Sequence, residues 1–163
     1  MRKANYDKFP STKLTGMLVQ GWDSIISMLK EKMDARKVLA VDLYTGVYEE
    51  EVLDAFSKEF SGRVMNVRDL MKPEKEIQAL TERFMTEDVL FGYVTNLKLE
   101  DYLDADKVAA ARKQISEAKE TIVIIGTGAA VVAPQDAMVV YADMARWEIQ
   151  QRFRRHEVKA LDR

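Results

Sequence analysis

Apolar positions along the chain switch between two spacings, and the switching predicts strands that alternate with helices. Residues 22–33 place their large apolar side chains on one helical face, with polar residues mostly opposite, so this segment is predicted to be an amphipathic helix. Residues 38–41 form a near-continuous apolar run that ends at Asp42. Such a run is typical of a strand covered on both faces, as in parallel sheets.

The same reasoning extends to the rest of the chain. Further strands are predicted at residues 63–67, 121–125 and 138–141, with another short strand at 13–20. Further helices are predicted after Gly46 to about Phe60, at 73–80, at 104–119 with Asp104 as its N-cap, and from about Asp143 into the arginine-rich end. Four residues mark the inward side of the last helix: Met144, Trp147, Gln151 and Phe153.

The order of these elements predicts the fold class. Strands that alternate with helices favour a mostly parallel sheet with helices on both faces, which is a three-layer α/β architecture. The length of 163 residues and the absence of a linker indicate one domain over residues 1–163. Residues 81–102 have no clean period and are predicted to be a substrate-side or partner-side insertion.

The loop at residues 43–50 occupies the place of a phosphate-binding loop. A working P-loop needs glycines that let backbone N–H groups wrap phosphate, a lysine that neutralises it and a hydroxyl that holds Mg²⁺. This loop offers Thr45 and Gly46, but Tyr48, Glu49 and Glu50 stand where the last glycine, the lysine and the hydroxyl belong. An acid beside a triphosphate costs about several kcal/mol. The glutamates are therefore predicted to stabilise the start of the next helix and ordinary ATP binding is not expected.

Three further groups are candidate ligand sites. The segment Gly126-Thr127-Gly128 directly follows a predicted strand. Its two glycines are typical of a tight turn, a small-anion contact or part of a dinucleotide site. Arg152, Arg154 and Arg155 are phosphate-binding candidates, or a solvated helix end that complements its own dipole. Neighbouring His156 reads as a surface residue or a general base.

Four aspartates follow predicted strands or lie in loops: Asp42, Asp69, Asp101 and Asp143. If two of them meet at the carboxyl edge of the sheet, they provide a Mg²⁺ site or an acid–base pair, and Asp42 and Asp143 are the candidates. The sequence alone does not place them together.

Composition narrows the chemistry. The chain has no cysteine and one histidine, which excludes thiol catalysis and a zinc site built from several imidazoles, and no metal or cofactor is predicted. A net charge of −2 gives no general attraction to nucleic acid or acidic membranes. The absence of a signal peptide, of a membrane-spanning run and of cysteine favours the cytoplasm.

Five strings, taken in order, resemble the N-terminal domain of bacterial proteins named as class I mannose-6-phosphate isomerases. They are YDKFP at 6–10, TGVYEEEVLDAF at 45–56, RDLMK at 68–72, FGYVTNL at 91–97 and YADMARWEIQQRFRRHEVKAL at 141–161. In that group the domain precedes a cupin that carries the zinc and the sugar-phosphate site. The resemblance implies a cupin partner in cis or in trans, and no isomerase catalytic residue carries over.

A more distant similarity is to uridine kinase and phosphoribulokinase-like P-loop folds, and it also rests on the arginine-rich ending. Together the resemblances imply a P-loop-kinase-like domain with a degenerate phosphate loop, acting in mannose 6-phosphate and fructose 6-phosphate metabolism in a regulatory, ligand-binding or structural role. Its ligand would be a phosphorylated sugar or a nucleotide. Two alternatives stay open: an active kinase with non-standard phosphate ligands, and an interaction or homodimerisation module whose surface lies at residues 84–102.

Overall fold

The computed structural model describes residues 6–7, 9–13, 15–33, 35–88 and 92–162. Its helices are α1 (Trp22–Met33), α2 (Glu49–Glu59), α3 (Glu74–Glu82), α4 (Ala105–Glu117), α5 (Ala129–Val132) and α6 (Arg146–Arg154). Its strands are β1 (Val38–Leu43), β2 (Arg63–Asn66), β3 (Ile122–Gly126) and β4 (Met138–Ala142). Short 3₁₀ segments lie at Val67–Leu70, Leu99–Tyr102 and Ala160–Asp162.

The strands form one four-stranded sheet in the order β2-β3-β1-β4, and each neighbouring pair is parallel. β1 lies inside the sheet, with Val38 opposite Ile122 of β3 and Leu39 opposite Met138 of β4. All five residues of β3 are buried, which explains its uninterrupted apolar sequence. The predicted parallel sheet is therefore confirmed.

Helices cover both faces of the sheet, as a three-layer α/β fold requires. On one face, α1 and α2 pack Ile26 and Phe56 against alternate residues of β1 and β3. On the other face, α4 and α5 pack Ile115 and Val132 against the residues between them. Each inner strand thus belongs to two cores, because its successive side chains point to opposite faces.

Local sequence accounts for the way the helices begin. The side chain of Asp104 accepts hydrogen bonds from the backbone N–H groups of Asp106 and Lys107, so the predicted N-cap of α4 is confirmed. Pro73 precedes α3, where its missing N–H has no helical partner to lose.

Two predicted elements differ from the structure. Residues 13 and 15–20 form no strand, and Leu14 lies outside the described residues, as does Phe91 of the 91–97 string. The last helix begins at Arg146 rather than near Asp143, and Trp147 is 68% exposed rather than inward-facing. Met144, Gln151 and Phe153 are half-buried, and the helix contacts the loop after β1 through Ile149 and the guanidinium of Arg152.

Candidate functional site at the carboxyl edge of the sheet

The loops after β1 and β3 leave the sheet in opposite directions. β1 continues into α2 on one face, whereas β3 continues into α5 on the other face, although the two strands are neighbours. Such a point creates a crevice at the carboxyl ends of the strands, where α/β proteins usually bind ligands. The predicted loop at 43–50 and the glycine pair at 126–128 are brought together at this crevice.

The loop after β1 is held by the last helix. Gly46 has a φ of +94°, and Ile149 of α6 lies 3.2 Å from the place where a Cβ on Gly46 would be. Arg152 donates from Nη1 to the Gly46 carbonyl at 2.7 Å, and its guanidinium lies 3.6 Å from the centre of the Tyr48 ring. A carbonyl that accepts from arginine is the opposite of the phosphate-facing N–H that a P-loop presents.

Arg155 and Tyr48 meet at Glu157, just beyond α6. Tyr48 donates its hydroxyl to Glu157 Oε2 at 2.6 Å, and Arg155 donates from Nε to Oε1 at 2.6 Å. The hydrogen bond from Arg155, followed by that from Tyr48, lowers the pKa of Glu157 to about 2. The hydrogen bond to Glu157 is in turn the main cause of a raised pKa at Tyr48. Two of the three predicted phosphate-binding arginines, Arg152 and Arg155, are thus engaged by other groups of the chain.

The glycine pair after β3 is engaged by Asp42. The two carboxylate oxygens of Asp42 accept hydrogen bonds from the backbone N–H groups of Gly128 at 3.1 Å and Ala130 at 2.9 Å. Thr127 donates its hydroxyl to the Leu43 carbonyl at 3.1 Å. The N–H groups that would form a small-anion site therefore already hold an anion, which is the protein's own carboxylate. This arrangement corresponds to the tight-turn interpretation of residues 126–128.

Aliphatic side chains fill the space over these glycines. A Cβ on Gly126 would lie 3.0 Å from Cβ of Val67, and a Cβ on Gly128, whose φ is +90°, would lie 3.0 Å from Leu99. Glycine is required here by close packing and, at Gly128, by a left-handed backbone. Neither requirement involves a ligand.

The glutamates at the start of α2 are bound by side chains from β2, from the 3₁₀ segment that follows it and from α1. Glu49 is 5% exposed and accepts from Asn66 Nδ2 at 2.7 Å and from Arg68 Nη2 at 3.0 Å. Glu50 pairs with the same guanidinium at 3.3 Å, and Glu51 accepts from the indole N–H of Trp22 at 2.9 Å. The three glutamates therefore lie in the first turn of α2, as predicted, and each one also makes a tertiary contact.

The other predicted site residues do not join a common centre. Asp143 is exposed and accepts from its neighbour Met144, while Asp101 caps its own 3₁₀ turn through Lys98. Asp42 lies opposite Tyr141 in the register of β1 and β4, and Asp143 directly follows β4, so both aspartates lie at the carboxyl end of the sheet. Partial desolvation, and then the charges of Asp143, Tyr44 and Asp42, raise the pKa of Tyr141. Across the described ranges, no set of three or more His, Cys, Asp or Glu side chains is placed to hold a metal ion.

Two candidates keep unused side chains. In the part of the chain that the structure describes, Thr45 and Arg154 make no hydrogen bond or ion pair through their side chains. His156 is exposed and has a φ of +56° at the turn that ends α6. Four clefts of about 330 to 840 Å³ lie elsewhere on the described surface, and none of the four is lined by residues 44–48 or 126–130.

Sequence reasoning missed the groups that close the crevice: Asn66, Arg68, Glu148, Ile149 and Glu157. Arg68 carried a usable signal, since a cation that follows a strand must lie at the carboxyl edge beside the acids of the neighbouring loop. Glu157 carried none, because it is 109 residues from its partner Tyr48 and outside any predicted element.

These features define an all-parallel α/β protein whose carboxyl-edge crevice is occupied by its own side chains. No helix among the described residues is both long and apolar enough to cross a membrane. The chain belongs to the family described as a domain of unknown function, DUF8485, which matches residues 21–163. No curated protein and no solved structure matches the chain.

Proposed function

We propose that this chain is a catalytically degenerate, P-loop-kinase-like domain of a mannose-6-phosphate isomerase-like protein. Its role would be regulatory, ligand-binding or structural, in cytoplasmic sugar-phosphate metabolism, and the absence of cysteine is compatible with that reducing compartment. One observation carries the degenerate part of the proposal: Arg152, Arg155 and the N–H groups of the turn after β3, which are candidate phosphate ligands, are bound to other groups of the same chain.

The loop after β1 supports this proposal through its charge and its hydrogen bonds. Arg152 is used to hold the Gly46 carbonyl, and Glu49 is buried against Arg68 where a P-loop lysine would stand. A triphosphate would have to displace the arginine and approach a carboxylate at the start of α2. Both steps oppose nucleotide binding, because a buried like charge costs about several kcal/mol.

The turn after β3 supports the same conclusion. A phosphate that used the N–H groups of Gly128 and Ala130 would have to displace the Asp42 carboxylate, which accepts from both. The displaced carboxylate would then lie next to the incoming anion. In both halves of the crevice, an incoming phosphate would therefore meet a carboxylate of the chain: Glu49 in one half and Asp42 in the other.

Titration calorimetry with Mg·ATP tests the degenerate assignment. We expect no saturable heat from the full chain at millimolar nucleotide. The comparison is between Gly46→Ala and Gly21→Ala, since both positions have a positive φ but only Gly46 belongs to the crevice loop. Micromolar Mg·ATP binding that is abolished by the first variant and kept by the second would contradict the proposal. Mannose 6-phosphate and fructose 6-phosphate are titrated in parallel to test the ligand-binding role.

The rival assignment is an active phosphotransferase in which Arg152, Arg154 and Arg155 clamp phosphate and Asp42 holds Mg²⁺ or acts as base. It predicts nucleotide-dependent turnover that is lost when the three arginines become alanine. A coupled assay for nucleoside diphosphate release measures this, and turnover that survives the triple change excludes the arginine clamp.

A second candidate function is protein interaction, and exposed apolar residues in the segment that follows α3 favour it. Met85 and Tyr93 are each 71% exposed and Val94 is 97% exposed, although all three are apolar or aromatic. The partner would be a cupin isomerase domain, in cis or in trans. Light scattering of the chain alone and mixed with that cupin measures association. Absence of a complex in the mixture contradicts this function, and a mass doubling of the chain alone indicates a homodimer instead.

A further inference from the structure

A second cleft lies at the opposite edge of the sheet from the crevice. It has a volume of about 840 Å³, which is within the range of small-molecule sites. Val38 and Ile122, the first residues of β1 and β3, form part of its floor, so it is separated from the crevice by the length of the strands, roughly 15–20 Å. Nothing in the crevice chemistry uses this cleft.

The floor of the cleft is aliphatic. Four of its residues are buried core side chains from two strands and two helices: Val38, Ile115, Ile122 and Val132. Ala118, Ala133 and Pro134 continue the apolar surface toward solvent. None of the described residues that line the cleft is aromatic, so the cleft favours a branched aliphatic body over one that needs ring stacking.

The rim of the cleft carries three cations and two carboxylates: Arg36, Lys37, Arg112, Glu120 and Asp136. None of the five takes part in an ion pair within the described ranges, whereas Arg152 and Arg155 at the crevice are both paired. The unpaired positive charge therefore exceeds the unpaired negative charge at this rim. Uncompensated cations beside an apolar floor are the surroundings that an amphipathic anion requires.

Arg112 is the best-positioned of these cations. It donates from Nη2 to the Val131 carbonyl at 2.7 Å and from Nε to the Val132 carbonyl at 3.4 Å. These bonds hold the guanidinium at the end of α5 and offset the partial negative charge of its carbonyls. Nη1 donates to no group in the described part of the chain, so one face of a fixed guanidinium remains available.

We propose that this cleft binds a small amphipathic anion, with a carboxylate or phosphate monoester head at Arg112, Arg36 and Lys37 and a branched aliphatic body on the floor. The proposal is independent of the proposed function, because no residue of the carboxyl edge contributes to the cleft.

The test uses the full chain, ¹⁵N-labelled, and four probes titrated by NMR. 4-Methylpentanoate and 3-methylbutyl phosphate combine the branched aliphatic body with a carboxylate or a phosphate head. 3-Methylbutylamine has the same body with a positive charge, and inorganic phosphate has the anionic head without the body. We expect both amphipathic anions to shift the amides of Val38, Ala118 and Ala133 in a saturable way and to leave Thr45 and Gly128 unmoved. The tighter of the two identifies the head group.

Matched variants locate the charge that binds. Arg36→Gln with Lys37→Gln removes two exposed cations whose side chains have no partner among the described residues, and we expect an affinity about tenfold weaker. Lys119→Gln removes an exposed cation that does not line the cleft and is expected to change affinity less than twofold.

Four results would overturn the proposal. The first three are no saturable shift at the cleft with either anion, equal or tighter binding of the amine, and equal loss of affinity in the Lys119 variant. The fourth is a response to inorganic phosphate that matches the response to the amphipathic anions, because the aliphatic floor would then contribute nothing.

Discussion

A single arginine decides how the acidic start of α2 is tolerated. Arg68 contacts Glu49, which is buried, and Glu50, whose side chain is 78% exposed, through the same guanidinium. Its Nε is buried and has no hydrogen-bond partner among the described residues. The guanidinium is therefore oriented toward the two carboxylates, although one of its N–H donors is left without an acceptor. Glu49 and Glu50, the two acids that oppose phosphate binding, are therefore partly neutralised by an arginine that follows β2.

The two glutamates are expected to differ in their contribution to stability. Glu49→Gln should lower the free energy of unfolding by about 2 kcal/mol, because it removes a charged acceptor from a buried cluster and leaves Arg68 less well paired. This figure is discounted for Arg68, which is about one-third exposed. Urea denaturation followed by circular dichroism measures the change.

Glu50→Gln is the matched control, since it affects the same arginine from an exposed position. Its expected change is within about 0.5 kcal/mol. Equal losses in the two variants would show that burial of Glu49 is energetically unimportant.

The pKa of Glu157 gives a prediction about acid. Its folded value of about 2 lies below its ordinary value of 4.5, so the contact with Arg155 and Tyr48 stabilises the protein above pH 4.5. That contribution is lost as pH falls toward 2. In Arg155→Gln the pKa of Glu157 should rise toward 4.5, only in part because the Tyr48 hydrogen bond remains.

Carboxyl ¹³C NMR during an acid titration measures this pKa directly. Arg154→Gln is the control, because Arg154 is the adjacent cation and makes no ion pair among the described residues. If both variants shift Glu157 equally, general charge and not the hydrogen bond from Arg155 lowers its pKa.

At the scale of elements, α6 packs across the loop after β1. Ile149 lies over Gly46, and Arg152 donates to the Gly46 carbonyl. Arg155, just past the end of the helix, holds Glu157, which accepts from Tyr48 of the loop. These are few and local contacts for a helix without a fully buried residue. Local opening of α6 should therefore require less free energy than global unfolding.

Arg152→Lys is expected to weaken the contact between α6 and the loop after β1 without unfolding the sheet. Lysine keeps the charge but loses the planar head that stacks on Tyr48 and donates to Glu148 and Gly46 together. Amide hydrogen exchange in residues 44–48 and 146–154 should become about fivefold faster, while exchange in β3 stays unchanged.

Arg146→Lys, at the exposed first position of α6, serves as the control and should leave exchange unchanged. Unchanged exchange in both variants would mean that the guanidinium does not hold the loop.

The sequence-based predictions succeeded where local interactions form an element and failed where it depends on contacts between distant residues. α1, β1, β3 and α4 were predicted to within a few residues, because period and capping are local properties. The strand at 13–20 was wrong, since an apolar alternation forms a strand only where a neighbour is available to pair with it. The crevice contacts were not predictable in detail, because Asp42 meets Gly128 across 86 residues of chain.

For the whole molecule, the two faces of the sheet share the same strands. Ile124 belongs to the core under α4 and α5, and Ile125, the next residue, belongs to the core under α1 and α2. Both side chains are fully buried. A disturbance in either core is therefore transmitted to the other through the backbone of β3.

Ile124→Val and Ile125→Val should each lower the free energy of unfolding by about 1 kcal/mol, because each removes one methylene from a packed core. Both changes should act on one transition with coincident near- and far-ultraviolet circular dichroism. Val139→Thr, at a position that is 54% exposed on β4, should change stability by less than about 0.5 kcal/mol.

Separate transitions for the two isoleucine variants would indicate that the layers unfold independently. In that case the shared strand would not couple them.

The position of β1 inside the sheet has a consequence for the newly made chain. The strands that pair with β1 begin only at Ile122 and Met138, so both edges of β1 stay unpaired until those later residues have been synthesised. Contacts this distant in sequence form slowly, and the exposed apolar segment VLAVDL is open to association with other nascent chains during that interval. α6, which contacts the loop after β1, follows all four strands in the chain, so the crevice takes its final form only after α6 has been made.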